Sequence, residues 1–134
     1  MRLLISLIFI MSFNNANSIK GYDLLRSLNK KNSINIDDYN HYTSAKAYIM
    51  GTINALKYSK DIYENIILSS NERKNKNKKM GNYFMPFEKE WDQSQYIGLV
   101  HYYLKKNPTK LYLSAVELIS LSLFEASIMN SLRL

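Results

Sequence analysis

Histidine, carboxylate and hydroxyl side chains are the first places to look for chemistry, and here their spacing supports little of it. The chain has two histidines, His41 and His101, and no cysteine. Thiol nucleophiles and thiolate metal sites are therefore ruled out. The histidines belong to separate predicted helices, without the H-x-x-x-H or HExxH spacing that puts two imidazoles on one helix face. They read as solvated side chains rather than metal ligands. Glu88 and Glu90 are close enough to be compared with an acid/base pair, but no other residue supports that role, so they read as surface charge. No serine sits in G-x-S-x-G, and no glycine loop is built to cradle phosphate. The expectation is a protein that binds rather than catalyses, without cofactor or metal.

The densest cluster of charge is "RKNKNKK" at 73–79. It lies in a long polar connection that continues through Gly81 and Pro86, both breakers of regular structure. Tyr83, Phe84 and Phe87 follow the basic run. Loop aromatics of this kind either plug a core or dock a partner, since tyrosine offers large contact area at low entropy cost. Base composition tempers the weight of the run. Ile, Asn, Lys, Tyr and Phe, whose codons are rich in A and T, fill more than two-fifths of the chain. An AT-rich genome writes Lys and Asn freely onto surfaces.

The N-terminus sets the expected address. Arg2 precedes an apolar run from Leu3 to Phe13, and Ala16-Asn17-Ser18 supplies small residues three and one before a cut. This is the pattern of a signal peptide, 1–18, cleaved after Ser18, which leaves a single domain over 19–134. The apolar run is about half the roughly 20 residues a membrane span needs. Export to the periplasm is the expectation, with no stable membrane insertion. It removes the chain, formally +7 at pH 7, from cytosolic DNA and RNA. Basic charge then points to acidic proteins or wall polymers rather than nucleic acid.

The elements that would position these residues are helical throughout. Tyr22, Leu25 and Leu28 suggest a short first helix, broken by "NKKNSIN". A second is expected from Asp37 to Ser59, started by Asp37 and Asp38. Tyr42, Ala45, Ile49, Ile53 and Leu56 give it one apolar stripe. Gly51 would admit a close neighbour, and Lys46, Met50, Asn54 and Lys57 would lie opposite. An extra short helix is expected near Ile62 to Ser69. A third starts at Asp92, with Gln95 completing a capping box and Trp91 and Tyr96 a hydrophobic staple. Tyr96, Leu99, Val100, Tyr103 and Leu104 form its inner face, and Pro108 ends it. A fourth starts at Ser114 with Glu117, flanked by Leu113 and Leu118. It carries two stripes: Ala115, Ile119, Ala126 and Met129, and separately Leu121, Phe124 and Ile128. The second is covered either by the first helix or by another copy in a homodimer. The fold class is all-α, a compact bundle of four to five helices.

Taken in order, "AYIMGTINAL", "YFMP" and "QYIGLVHYYLKKNPTKLYLSAVELISLSLFEA" resemble the immunity proteins of type VI secretion, the resistance-associated and amidase-immunity (Rap/Tai) families. Those show Tyr-Ile-x-Gly on a helix, a Phe-Cys-x-Pro loop, a Gln-led helix ending in Tyr-Leu-x-x-x-Pro, and an Ala-rich last helix. Tyr48, Ile49 and Gly51, then Pro86, then Gln95, Tyr103, Leu104 and Pro108, then Ala115 match. The resemblance spans about residues 39–129. Ala45, Phe84 and Met129 stand where members carry cysteines. The resemblance implies a periplasmic immunity protein that binds and inhibits a secreted effector, a peptidoglycan amidase in the amidase-immunity branch. Its partner-binding element is placed in the connection at 72–90, on Lys74, Lys76, Lys78, Lys79, Tyr83, Phe87, Glu88 and Glu90. The rival expectations are an exported helical chaperone-like or structural protein with no toxin partner, and a binder of anionic lipid or wall polymer.

Overall fold

The computed structural model describes residues 18–68 and 91–131. Four α-helices lie within them: α1 (Gly21–Leu28), α2 (Ile36–Leu68), α3 (Gln93–Lys106) and α4 (Ala115–Ser131), with a single 3-10 turn at Pro108–Lys110. The chain is an all-α bundle, and every helix packs against the other three. One apolar cluster joins them, with Ile49 and Ile53 from α2, Val100 and Leu104 from α3, and Leu118 and Ile119 from α4 all fully buried.

The starts of α3 and α4 follow directly from local sequence. Asp92 accepts the Gln95 backbone N–H at 2.9 Å, and Gln95 Oε1 accepts the Asp92 N–H at 2.9 Å. The Trp91 and Tyr96 rings sit 5.6 Å apart, as the staple requires. At α4 the Glu117 N–H donates to Ser114 Oγ at 3.3 Å and the Ser114 N–H to Glu117 Oε2 at 3.0 Å. Each box satisfies N–H groups that a helix start leaves without intrahelical partners. At the end of α3 the Asn107 backbone N–H and side-chain amide both donate to the Tyr103 carbonyl before Pro108 turns the chain.

Helix α1 starts differently. Lys20 provides no side-chain cap. The Gly21 N–H instead donates to the Leu113 carbonyl at 3.0 Å and the Tyr22 N–H to that of Leu111 at 3.1 Å, while Ile19 O accepts from the Ala115 N–H at 2.7 Å. This backbone pin joins the start of α1 to the turn before α4. It needs glycine: a Cβ on Gly21 would stand 2.2 Å from Leu118 Cδ1 and 3.0 Å from the Leu111 carbonyl oxygen.

Several expectations are corrected. Helix α2 starts at Ile36 and runs unbroken to Leu68, so its bounds are not Asp37 and Ser59, and the separate short helix near Ile62 is its continuation. Its cap is Asn35, whose Oδ1 accepts the Asp37 N–H at 2.8 Å, rather than Asp37 or Asp38. The buried face of α1 is Gly21, Leu24 and Leu28, with Tyr22 exposed. Gly51 has no neighbour within 4 Å of an added Cβ; the close approach occurs at Gly21. Met50 packs against the core, and Lys57 Nζ lies 4.9 Å over the Tyr96 ring, so neither faces away. Of the α4 stripe of Ala115, Ile119, Ala126 and Met129, Ala115 and Ile119 are buried and Met129 is exposed, while Leu118, Ser122 and Leu123 are buried as well.

Candidate functional site

The eight residues expected to bind a partner, Lys74, Lys76, Lys78, Lys79, Tyr83, Phe87, Glu88 and Glu90, lie outside the described residues, as do Phe84 and Pro86. The structure defines the base from which their segment leaves the bundle. It is spanned by the end of α2 and by Trp91, held on Tyr96 at the first turn of α3. Tyr96 is buried, and Lys57 of α2 closes over its ring. The return end of the connection is therefore fixed by an aromatic pair, a cation and a capping box.

The histidines are kept apart by the fold. His101 Nε2 lies 2.9 Å from Asn29 Oδ1, an arrangement in which Nε2–H donates and links α3 to the end of α1. Partial burial lowers its pKa, and the cations of Lys105 and Lys31 add to the effect. His41 instead lines an open groove of about 930 Å³ between α1 and α2, with Tyr22, Asp23, Ser44 and Tyr48. Burial raises the pKa of the Tyr48 hydroxyl, and Arg26 holds the Asp23 carboxylate at 3.2 Å. Among the described residues no cluster of three or more His, Asp or Glu could hold a metal ion, and no helix is long and apolar enough to cross a membrane.

Two apolar surfaces stand out instead. On α4 the row of Leu121, Phe124 and Ile128 is about two-fifths exposed. Its 3-4 spacing is the spacing at which one helix seats another. Helix α1 does not cover the row, because Leu24 and Leu28 face the common core and Tyr22 faces out. The second surface is the α1–α2 turn, where Ile34, Ile36 and Tyr39 are exposed. Sequence reasoning took "NKKNSIN" for a helix breaker and nothing more. The available signal was Ile34 and Ile36, two β-branched apolar residues in an otherwise polar turn.

The chain's charge is unevenly spread over these surfaces. Helix α4 carries Glu117 and Glu125 and no basic residue, in a chain that is formally +7. Lys106 of α3 reaches Glu125 at 3.6 Å, an exposed pair of small energetic weight. No family model, no curated protein and no solved structure matches the chain.

Proposed function

We propose that the chain is a periplasmic immunity protein that binds and inhibits a type VI secretion effector, a peptidoglycan amidase in the amidase-immunity branch of the resemblance. The observation that carries this reading is where the residues of that resemblance fall. Ile49, Tyr103, Leu104 and Ala115 are buried in the core shared by α2, α3 and α4. Gln95 closes the α3 capping box, and Pro108 opens the 3-10 turn that ends it. These six residues of the quoted motifs are therefore ones that build an all-α bundle, while those of "YFMP" lie outside the described residues. The connection between α2 and α3 is left free to vary with the partner. Such a protein works by occupying a surface, and it needs no catalytic group of its own.

The export part of the proposal is supported by the pin at the start of α1. Its first member is the Ile19 carbonyl, so cleavage after Ser18 keeps the whole pin and a cut two residues later would remove part of it. The homodimer part is supported by the α4 row and by the absence of basic residues along α4. Salt should strengthen that association, since it screens repulsion between two basic bodies.

The test is to look for a secreted hydrolase encoded beside the chain's own gene and to measure co-expression and direct binding with it. Protection of the cell and stoichiometric inhibition of the purified enzyme are the expected results. Replacing Lys74, Lys76, Lys78 and Lys79 by Ser should slow association and flatten its salt dependence while leaving dissociation nearly unchanged. Broad weak binding to unfolded clients, with no effect on that hydrolase, would favour the chaperone-like alternative. Trimming 72–90 to a Gly-Ser link without loss of protection would move the binding surface elsewhere on the bundle.

A further inference from the structure

The pin divides the start of the chain at one peptide bond. Ser18 is exposed and lies outside the pin. From Ile19 onward the backbone is committed. Ile19 O accepts the Ala115 N–H at 2.7 Å, the Gly21 N–H donates to Leu113 O at 3.0 Å, and the Tyr22 N–H donates to Leu111 O at 3.1 Å. Lys20, between them, forms an antiparallel bridge with Ser114, and its carbonyl accepts the Asp23 and Leu24 N–H groups. Helix α1 is held to the bundle separately, by Leu24 and Leu28 in the core and by Asn29 on His101. Residues 19–22 can therefore leave 111–115 without the rest of α1 leaving the core.

We propose that the pin is a processing gate: the Ser18–Ile19 bond is open to a peptidase only while residues 19–22 are off 111–115, and it closes when the bundle forms. The proposal rests on the export reading, in which water adds across that amide. The products are a Ser18 carboxylate on the released segment and an Ile19 ammonium on the bundle. Susceptibility of a bond to cleavage follows from the burial and hydrogen bonding of the backbone around it. A peptidase seated over residues 16–20 competes with Ala115 for the Ile19 carbonyl and with Ser114 for Lys20. Three backbone bonds, each favouring the closed form roughly fivefold, keep the open form near about one part in a hundred. Cutting of a transiently opened segment follows that population. A chain that folds with residues 1–18 attached thus retains them, and processing belongs to the time before the pin shuts.

The test uses the full chain with residues 1–18 in place, a purified type I signal peptidase in detergent micelles, and mass spectrometry of the products. Chain denatured in urea is diluted straight into the peptidase or refolded first. Direct dilution should give a product that begins at Ile19, and the refolded chain should be cut about 100-fold more slowly. Gly21→Ala, whose Cβ meets Leu118 and the Leu111 backbone, should speed cutting of the refolded chain by about 10-fold or more. Tyr22→Pro removes one donor of the pin at a first-turn position that tolerates proline, and should speed it by about fivefold. Ile53→Val, a core change on α2, should lower the melting temperature and leave cutting slow. Equal rates for refolded and directly diluted parent would overturn the gate and leave the export reading standing. No cut after Ser18 in either order would sink the export reading and the gate with it. Cutting that rises with falling melting temperature in Ile53→Val as much as in the pin variants would assign the protection to the whole bundle and reject a gate at the pin.

Discussion

The two turns of the bundle solve the same backbone problem with opposite treatment of their apolar side chains. Between α3 and α4 the chain bends through Asn107–Ser114, its carbonyls cap α1, and Leu111 and Leu113 pack against the core. Between α1 and α2 it bends through Asn29–Asn35, held by Lys30, Ser33 and Asp38, and Ile34 points to solvent. Both are ordered by hydrogen bonds. Only the first gains burial from that order. Only the second leaves aliphatic side chains in solvent.

That contrast breaks first at Gly21. Gly21→Val should cost about 3 kcal/mol, since the added carbons meet the fully buried Leu118 side chain and the Leu111 backbone. Urea unfolding with an unchanged slope checks it. A loss under about 1 kcal/mol would mean that the pin opens easily and the two turns are less different than their contacts indicate.

The capping residues should show an intermediate effect at both turns. Ser114→Ala and Asn35→Ala should each lower stability by about 1 kcal/mol. The carboxylates differ from the neutral caps in being titratable. Bonds from Lys30 and then Ser33 hold the Asp38 carboxyl below its ordinary pKa, and the Ser114 hydroxyl and backbone do the same for Glu117. A depressed carboxylate contributes stability that is present above its unfolded pKa and lost as pH falls through the folded one. Melting temperature should therefore fall on acidification below about pH 4.5, and Asp38→Asn or Glu117→Gln should make that fall shallower. His101 has the same sign at higher pH. Its lowered pKa means that the unfolded chain takes up the proton first, so stability should begin to decline below about pH 6.5. His101→Gln should remove that component.

The smallest effect is expected at the tip. Ile34→Ser and Ile36→Ser should change stability by no more than about 0.5 kcal/mol. A larger loss in the isolated chain would show that these side chains pack against it and would erase the contrast between the turns.

The parts legible in the sequence were those governed by contacts three or four residues apart. Both capping boxes, the Trp91–Tyr96 staple and the stop at Pro108 are local, and they were read correctly. The length of α2 was not legible, because its apolar stripe gives out before the helix does. A close approach was expected at Gly51 and occurs at Gly21. A glycine inside a helix looks the same in sequence whether it meets a neighbouring helix or open solvent. On α1, Leu25 and Leu28 do meet the core and Tyr22 does not, since a tyrosine is apolar enough to count as core and polar enough to face water. At the candidate site, Ile34 and Ile36 were passed over because polar neighbours made the turn look like filler. The order that makes them notable comes from Lys30, Ser33 and Asp38 meeting in space.

The pin at Gly21 also bears on when the chain can fold. Helix α1 has eight residues, too few to persist alone in water, and the groups that cap it belong to Leu111 and Leu113. During synthesis those residues emerge long after α1 does. The contact is of high sequence separation, and closing it carries a chain-entropy cost that local helix formation does not offset. The N-terminal segment therefore waits, unstructured and open to whatever handles nascent chains, until the start of the last helix arrives to complete it.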